Sequence, residues 1–95
     1  MSVATNVTLL VPGQLRQYCS GAPSLSLSAP SVRAALDRLE EMHPMLYRGV
    51  CDETRVVRRH INIFVNTANV RDGQGLDTPL EEGDVVTILP AVSGG

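Results

Sequence analysis

The alternation of apolar and polar residues predicts two strands in the first third of the chain. The β-branched and aliphatic run from Thr5 to Val11 predicts a first strand, which ends at the turn-forming pair Pro12-Gly13. From Ser24 to Ser28, polar and apolar residues alternate with a period of two, which is typical of a half-buried strand. These two strands can pair as a hairpin.

The second half of the chain predicts three more strands. The clearest is His60–Asn66, because its apolar residues Ile61, Ile63 and Val65 share one face. The other face carries His60, Asn62, Phe64 and Asn66. A short segment at Val70–Arg71 follows, and Val85–Leu89 forms the final strand, which Pro90 is expected to stop.

One amphipathic helix is predicted from about Ala29 to Met42. Ser28 occupies the expected N-cap position, Pro30 fits the first turn, and His43-Pro44 ends the helix. The apolar residues recur at helical spacing; they are Val32, Ala35, Leu36, Leu39 and Met42. Met45 to Val57 shows no clear periodicity and is predicted to be a loop.

This order of elements predicts an α+β roll, in which one main helix covers one face of a mixed sheet. The last strand needs a partner far away in sequence, and the first strand, in parallel, is the expected one. Residues 1–90 are expected to form a single domain, and residues 91–95 a flexible C-terminal Gly-Gly tail.

Charge and composition exclude several classes of function. The 95 residues carry a formal charge of -2, which is the wrong sign for a protein that neutralises many phosphates, so nucleic acid and anionic membranes are not expected partners. All eight basic residues are Arg, and Lys is absent. Cys19 and Cys51 are far apart without metal-binding spacing, which predicts free thiols and a reducing, cytoplasmic location.

The side chains offer weak candidates for chemistry. Cys51, His60 and Asp52 could in principle form a nucleophile triad, but nothing in their spacing brings them together, so we expect no catalytic residues and no metal site. Arg55 and Arg58-Arg59 form a basic cluster. A solvated patch that protects a sheet edge is the favoured interpretation, and a docking site for an acidic partner is the alternative.

The strongest signal is the pair Gly94-Gly95 after the final strand. Two terminal glycines expose an unhindered carboxylate on a backbone that can enter a narrow tunnel, where any side chain would clash. A carboxylate resists nucleophiles until an activating enzyme converts it to an acyl-adenylate with ATP. The adenylate can then accept sulfur, which makes the protein a sulfur carrier, or an amine, which makes it a protein modifier.

Several segments resemble the MoaD, ThiS and CysO family of ubiquitin-like sulfur carriers. They are Ile61–Asn66, Gly75–Leu80, Glu82-Gly83-Asp84 and Val86–Gly95. The resemblance implies a β-grasp fold whose Gly95 is adenylated and then thiocarboxylated by a MoeB- or ThiF-type enzyme that uses ATP. It further implies that the carrier binds no cofactor and is not itself an enzyme, although it can serve as the small subunit of a synthase.

The same resemblance implies roles for other residues. Val92, Ser93 and Gly94 would be threaded into partner active sites with Gly95. The outward side chains of the last strand would help to dock the partner; by alternation they are Val85, Thr87 and Leu89. The sulfur-accepting partner would be a cysteine synthase-like enzyme or the large subunit of molybdopterin synthase.

Two questions stay open at this point. Thiamin-type carriers are usually shorter and lack an insertion such as Met45–Val57, whereas Pro90-Ala91-Val92 looks closer to CysO, so a cysteine-type and a molybdopterin-type carrier both remain possible. The alternative class is a ubiquitin-like modifier joined through Gly95 to target lysines. Because the chain has no Lys, it cannot build Lys-linked polymers on itself.

Overall fold

The computed structural model describes residues 5–90, which form five strands, two α-helices and three short 3-10 helices. The strands are β1 (Asn6–Leu10), β2 (Ser24–Ser28), β3 (Ile61–Val65), β4 (Ala68–Asn69) and β5 (Val85–Pro90). The α-helices are α1 (Val32–Met42) and α2 (Pro44–Val50), and the 3-10 helices cover Gly13–Cys19, Val70–Asp72 and Gly75–Asp77.

The five strands form one mixed sheet in the order β2-β1-β5-β3-β4. β1 pairs with β5 in parallel, and the other neighbouring strands are antiparallel. The predicted hairpin of the first two strands and the predicted parallel pairing of the first and last strands are therefore confirmed. β5 lies in the middle of the sheet, so its last residue, Pro90, leaves from the centre of one sheet edge.

The core lies between the inner face of the sheet and α1. β1, β3 and β5 each turn alternate side chains inward, and the most deeply buried of these are Val7, Leu9, Ile61, Ile63, Val86 and Ile88. α1 packs against them with Val32, Ala35, Leu36 and Leu39. A mixed sheet covered by one main helix is thus what the structure shows, as predicted.

The predicted start of the helix is wrong by three residues. Ser28 is the last residue of β2, paired with Asn6, and the amide of Ala29 donates to the carbonyl of Thr5, so the hairpin continues where the helix was expected. The N-cap is Ser31, whose Oγ accepts a hydrogen bond from the amide of Ala34 at 3.1 Å. The two serines are equivalent as caps in sequence, and only the strand pairing distinguishes them.

The prediction of a loop from Met45 to Val57 is also wrong, because α2 occupies its first half. Pro44 begins the helix rather than only ending the previous one, and Leu46, Tyr47 and Val50 are buried. Seven residues are too few to show a helical period. A Cβ built on Gly49 would lie 3.0 Å from Cδ2 of Leu15, so glycine allows α2 to approach the first 3-10 helix closely.

Arg55 fixes the segment after α2 to the main helix. Its backbone is left-handed, with φ of 68°, and its guanidinium lies 2.8 Å from Asp37 Oδ1 and 3.0 Å from Glu40 Oε1. The same guanidinium lies 5.7 Å from the centre of the Tyr47 ring, a cation–π distance. Arg55 is therefore neutralised, and the basic cluster predicted for Arg55, Arg58 and Arg59 does not act as one unit.

Two predicted strand limits in the second half need correction. The short strand is Ala68–Asn69, not Val70–Arg71, since residues Val70–Asp72 turn into a 3-10 helix capped by the side chain of Asn69. The last strand does not end at Leu89, because Pro90 is the final residue of β5 and pairs with Ile61. A proline is tolerated at a strand end because one missing amide donor leaves the rest of the ladder intact.

Candidate functional site

The predicted reacting group, the Gly95 carboxylate, belongs to the segment that follows β5. Val92, Ser93, Gly94 and Gly95 lie outside the residues that the structure describes. Their attachment point is Pro90, which pairs with the first residue of β3, Ile61. The carboxyl ends of β1 and β5 lie at the same sheet edge because these strands are parallel. The tail therefore starts from a well-supported central position.

The outward face of β5 is the one that alternation predicts. Val86 and Ile88 are each 1% exposed and belong to the core, whereas Leu89 is 46% exposed. Val85 and Thr87 are half-buried on the same outer face as Leu89. The orientation predicted for Val85, Thr87 and Leu89 is confirmed, while their role in docking is a separate question.

Neighbouring strands extend this face into an apolar surface. Thr87 lies opposite Leu10 of β1 on one side and Phe64 of β3 on the other. Leu10 is 39% exposed, and Phe64 is half-buried. We call Leu10, Phe64, Thr87 and Leu89 the outer-face patch.

Leu10 and Phe64 were not among the candidate docking residues from the sequence. The alternation of each strand does place Phe64 away from Ile61 and Ile63, and Leu10 away from Leu9. What the sequence lacks is the pairing register that brings both side chains beside Thr87.

Arg71 is a third residue that the sequence analysis missed. Its guanidinium donates to the carbonyl of Ile61 at 2.8 Å. It also donates to the carbonyl of Arg58 and to Oδ1 of Asn62, each at a distance of 3.3 Å. These bonds hold the turn before β3 against the start of that strand, directly opposite Pro90. No short-range pattern in the sequence indicates this contact, since Arg71 lies ten residues from Ile61.

The structure gives no support to a nucleophile triad. Cys51 is 1% exposed, and burial raises the pKa of its thiol, which favours the unreactive neutral form. The carboxylate of Asp52 accepts hydrogen bonds from Thr54 and Val56, and the bond from the Thr54 hydroxyl is the main reason that its pKa is lowered. His60 lies in an exposed turn before β3.

Both cysteines are free and buried, in agreement with the expected free thiols. Within residues 5–90, no group of three or more His, Cys, Asp or Glu side chains is placed to hold a metal ion. In the same range, no helix has both the length and the apolar character needed to cross a membrane.

The burial of Cys51 predicts a pH dependence of stability. A thiol whose folded-state pKa is raised stabilises the fold fully below its ordinary pKa of about 8.5, and the stabilisation is lost as the pH rises above that value. We expect the urea midpoint to fall between about pH 8 and pH 10, and Cys51→Ala to make this fall shallower. Burial also raises the pKa of Tyr47, which accounts for the decline that remains in the variant. Equal slopes in both proteins would contradict the assignment to Cys51.

Sequence comparison then identifies the relatives of this chain. A model of the ThiS family matches residues 9–95. The chain belongs to the ThiS family. The sulfur carrier protein CysO of Mycobacterium tuberculosis is one relative of this chain. It is 38% identical over 92 residues, which cover 95% of this chain and 99% of the relative. The resemblance to the MoaD, ThiS and CysO carriers is thus confirmed.

Solved structures of similar proteins share the fold. A chain of the Amycolatopsis orientalis BexX/CysO complex superposes with a TM-score of 0.85 at 35% identity, covering 94% of this chain and 99% of that one. The small archaeal modifier protein 1 of Methanosarcina acetivorans has a TM-score of 0.85 at 31% identity, covering 99% and 100% of the two chains. The fold is the ubiquitin-like β-grasp fold, as the resemblance implies.

Proposed function

We propose that this protein is a sulfur carrier whose Gly95 carboxylate is adenylated and converted to a thiocarboxylate. The observation that carries this proposal is the 38% identity to a sulfur carrier protein across 99% of that protein's length. The position of Pro90 supports it, because β5 lies between β1 and β3 and its last residue fixes the point in the sheet from which the Gly-Gly segment continues.

The proposed chemistry proceeds in two steps on the partner enzyme. A carboxylate oxygen of Gly95 attacks the α-phosphorus of ATP, and pyrophosphate leaves to give an acyl-adenylate. A sulfide then attacks the acyl carbon and displaces AMP, which leaves a thiocarboxylate and releases a proton. The carrier supplies only the carboxylate and its placement, so ATP is a substrate of the enzyme and the carrier itself binds no cofactor.

Delivery of the sulfur closes the cycle. The thiocarboxylate sulfur attacks an activated acceptor and displaces its leaving group, and hydrolysis of the resulting thioester frees a thiol on the acceptor. Gly95 returns to a carboxylate. Val92, Ser93 and Gly94 would be threaded into the active site with Gly95. Five residues beyond Pro90 span at most about 18 Å when extended, so each partner must bring its active site that close to the sheet edge.

We further propose that the outer-face patch docks the activating enzyme, of the MoeB or ThiF type. Leu10 and Leu89 expose apolar side chains next to Thr87, on the strand that leads into the tail. Exposed apolar side chains grouped on one face are typical of interaction surfaces. Val85 continues the same face toward the other end of β5.

A charge placed in the outer-face patch should weaken activation without unfolding the protein. We expect Leu89→Glu to raise KM for the carrier about tenfold or more, because docking would bury an unpaired carboxylate. Pyrophosphate release by the host's adenylating enzyme is the measurement. Met45→Glu is the matched control, since Met45 is 55% exposed on α2, away from the sheet's outer face. Equal KM values for Leu89→Glu and Met45→Glu would contradict docking through this patch.

The acceptor enzyme is proposed to be cysteine synthase-like or a molybdopterin synthase large subunit, with the carrier acting as the small subunit in the second case. The similarity to CysO favours the cysteine-type acceptor. Because the acyl-adenylate needs ATP and both cysteines are free thiols, we place the carrier in the cytoplasm.

A protein modifier is the second candidate, favoured by the 31% identity to small archaeal modifier protein 1. In that case Gly95 would form an isopeptide bond with lysines of other proteins. Immunoblots of host extract test this candidate: high-molecular-weight adducts that vanish when Gly95 is deleted would support it. A lane free of adducts beside abundant thiocarboxylate would support the carrier instead.

A further inference from the structure

The arginines of this protein fall into two groups. Arg33, Arg38 and Arg55 each lie within ion-pair distance of a carboxylate. Arg16, Arg48, Arg58, Arg59 and Arg71 have no carboxylate oxygen within 4.0 Å in the part of the chain from residue 5 to residue 90. Arg48 lies on α2, and we call the other four residues the basic collar. Their charges are available to a partner, and all but the half-buried Arg58 are exposed.

One side of the basic collar lies at the start of β3. The carbonyls of Arg58, Arg59 and Ile61 all accept hydrogen bonds from the guanidinium of Arg71. Nε of Arg58 also donates to a backbone carbonyl of α2 at 2.8 Å, so the Arg58 side chain turns toward that helix. Ile61 pairs with Pro90, so the guanidinium of Arg71 and the turn that carries Arg59 lie beside the last residue of β5.

The other side of the basic collar lies at the end of β1. Nε of Arg16 donates to the carbonyl of Val11 at 3.0 Å, and Val11 directly follows β1. Because β1 and β5 are parallel neighbours, Val11 lies at the sheet edge from which Pro90 leaves. β1 and β3 flank β5, so arginines approach the tail's starting point from both sides.

Acidic residues mark the opposite edge of the sheet. Glu81, Glu82 and Asp84 immediately precede β5, and Oε1 of Glu82 accepts a hydrogen bond from the amide of Asn6 at the start of β1. The six residues of β5 separate the two edges by about 17–20 Å. The protein is therefore electrically polarised along β5, although its net charge is only -2.

We propose that the basic collar docks on an acidic protein surface that rims the active-site entrance receiving the tail; this inference rests on the proposed function. Five extended residues span at most about 18 Å, so a bound partner must bring the rim of its entrance against this sheet edge. At physiological salt, charges interact over about 8 Å, which such a contact satisfies. A long polyanion would also meet the acidic opposite edge, whereas a local acidic rim meets only the collar.

Charge reversal in the basic collar tests the proposal. The variant is Arg16→Glu with Arg59→Glu, and Arg59→Glu alone is the milder form, because no hydrogen bond in residues 5–90 uses the Arg59 side chain. The matched control is Arg33→Glu with Arg38→Glu, which makes the same change in net charge on exposed sites of α1. Pyrophosphate release by the purified adenylating enzyme of the host is measured against carrier concentration, at low and at physiological salt.

The collar variants are expected to raise KM about tenfold, with the effect in KM rather than kcat, and to show a weaker salt dependence than the wild type. The control pair should keep the wild-type KM and salt dependence. If the collar and control variants show the same KM and the same salt dependence while the wild type is activated normally, the collar proposal is overturned and the carrier function stands. If the wild type releases no pyrophosphate, both the function and the collar's role are contradicted.

Discussion

Deletion of Gly95 is expected to lower the rate of adenylation by at least about 100-fold while leaving the fold unchanged. The deletion still leaves a glycine carboxylate, on Gly94, so the chemistry of the terminal group is preserved. What changes is reach, because one extended residue spans about 3.3–3.6 Å. Nucleophilic attack needs the reacting atoms within about 3.5 Å, so a carboxylate one residue short cannot reach the α-phosphorus of ATP.

The stability of the Gly95-deleted chain shows whether the deletion lowers adenylation by shortening the tail or by unfolding the protein. Within residues 5–90 the buried apolar core runs from Val7 to Ile88, and a glycine has no side chain to add to it. We therefore expect the urea midpoint of the variant to equal that of the wild type. Ser93→Ala is the matched control, because it alters the tail but keeps its length. Normal adenylation after the Gly95 deletion would contradict the proposal that this carboxylate is the reacting group.

Leu36→Ala is expected to lower the free energy of unfolding by about 2–5 kcal/mol. Leu36 is 4% exposed and belongs to the apolar face of α1 that covers the sheet. Its truncation removes packed methyl groups and leaves a cavity that the surrounding sheet and helix cannot close. Urea unfolding at neutral pH measures the effect.

Met42→Ala provides the matched comparison for this core variant. Met42 lies on the same helix but is 43% exposed, so its truncation should lower the free energy of unfolding by much less than the truncation of Leu36 does. An unchanged midpoint for Leu36→Ala, or equal losses at the two positions, would show that α1 does not cover the core as described.

The strands and the main helix were predictable because their patterns are local. Ile61, Ile63 and their polar neighbours alternate with the period of a strand, and Leu36 and Leu39 recur with that of a helix. α2 was missed because seven residues are too few to establish a period and because Pro44 was interpreted only as a terminator. The N-cap was misplaced because Ser28 and Ser31 are chemically alike and only the pairing of Ser28 with Asn6 distinguishes them.

The candidate site could also be predicted only where its pattern is local. The outward direction of Val85, Thr87 and Leu89 follows from alternation alone, and the structure confirms it. The outer-face patch also needs Leu10 and Phe64, whose positions beside Thr87 depend on the pairing register. Thr87 is 77 residues from Leu10 and 23 residues from Phe64, and a pairing register across such separations is a property of the packed sheet that a local pattern does not contain.

The charged surface shows the limit of local patterns most clearly. Arg55 and Arg58-Arg59 look like one cluster in sequence, yet Arg55 is neutralised by Asp37 and Glu40 on α1. Arg16 and Arg71 come to the sheet edge from distant parts of the chain instead. Ion pairing and strand order, not spacing in the sequence, therefore determine which charges lie near the end of β5.

The intact mass of the protein tests the central claim most directly. The chain is recovered from its own host and measured before and after incubation with host extract, ATP and sulfide, beside the same reaction without ATP and a Gly95-deleted control. We predict an ATP-dependent mass increase equal to the replacement of one oxygen by one sulfur, absent from both controls. An unchanged mass in the complete reaction, with adducts of the chain to other proteins, would contradict the sulfur-carrier function.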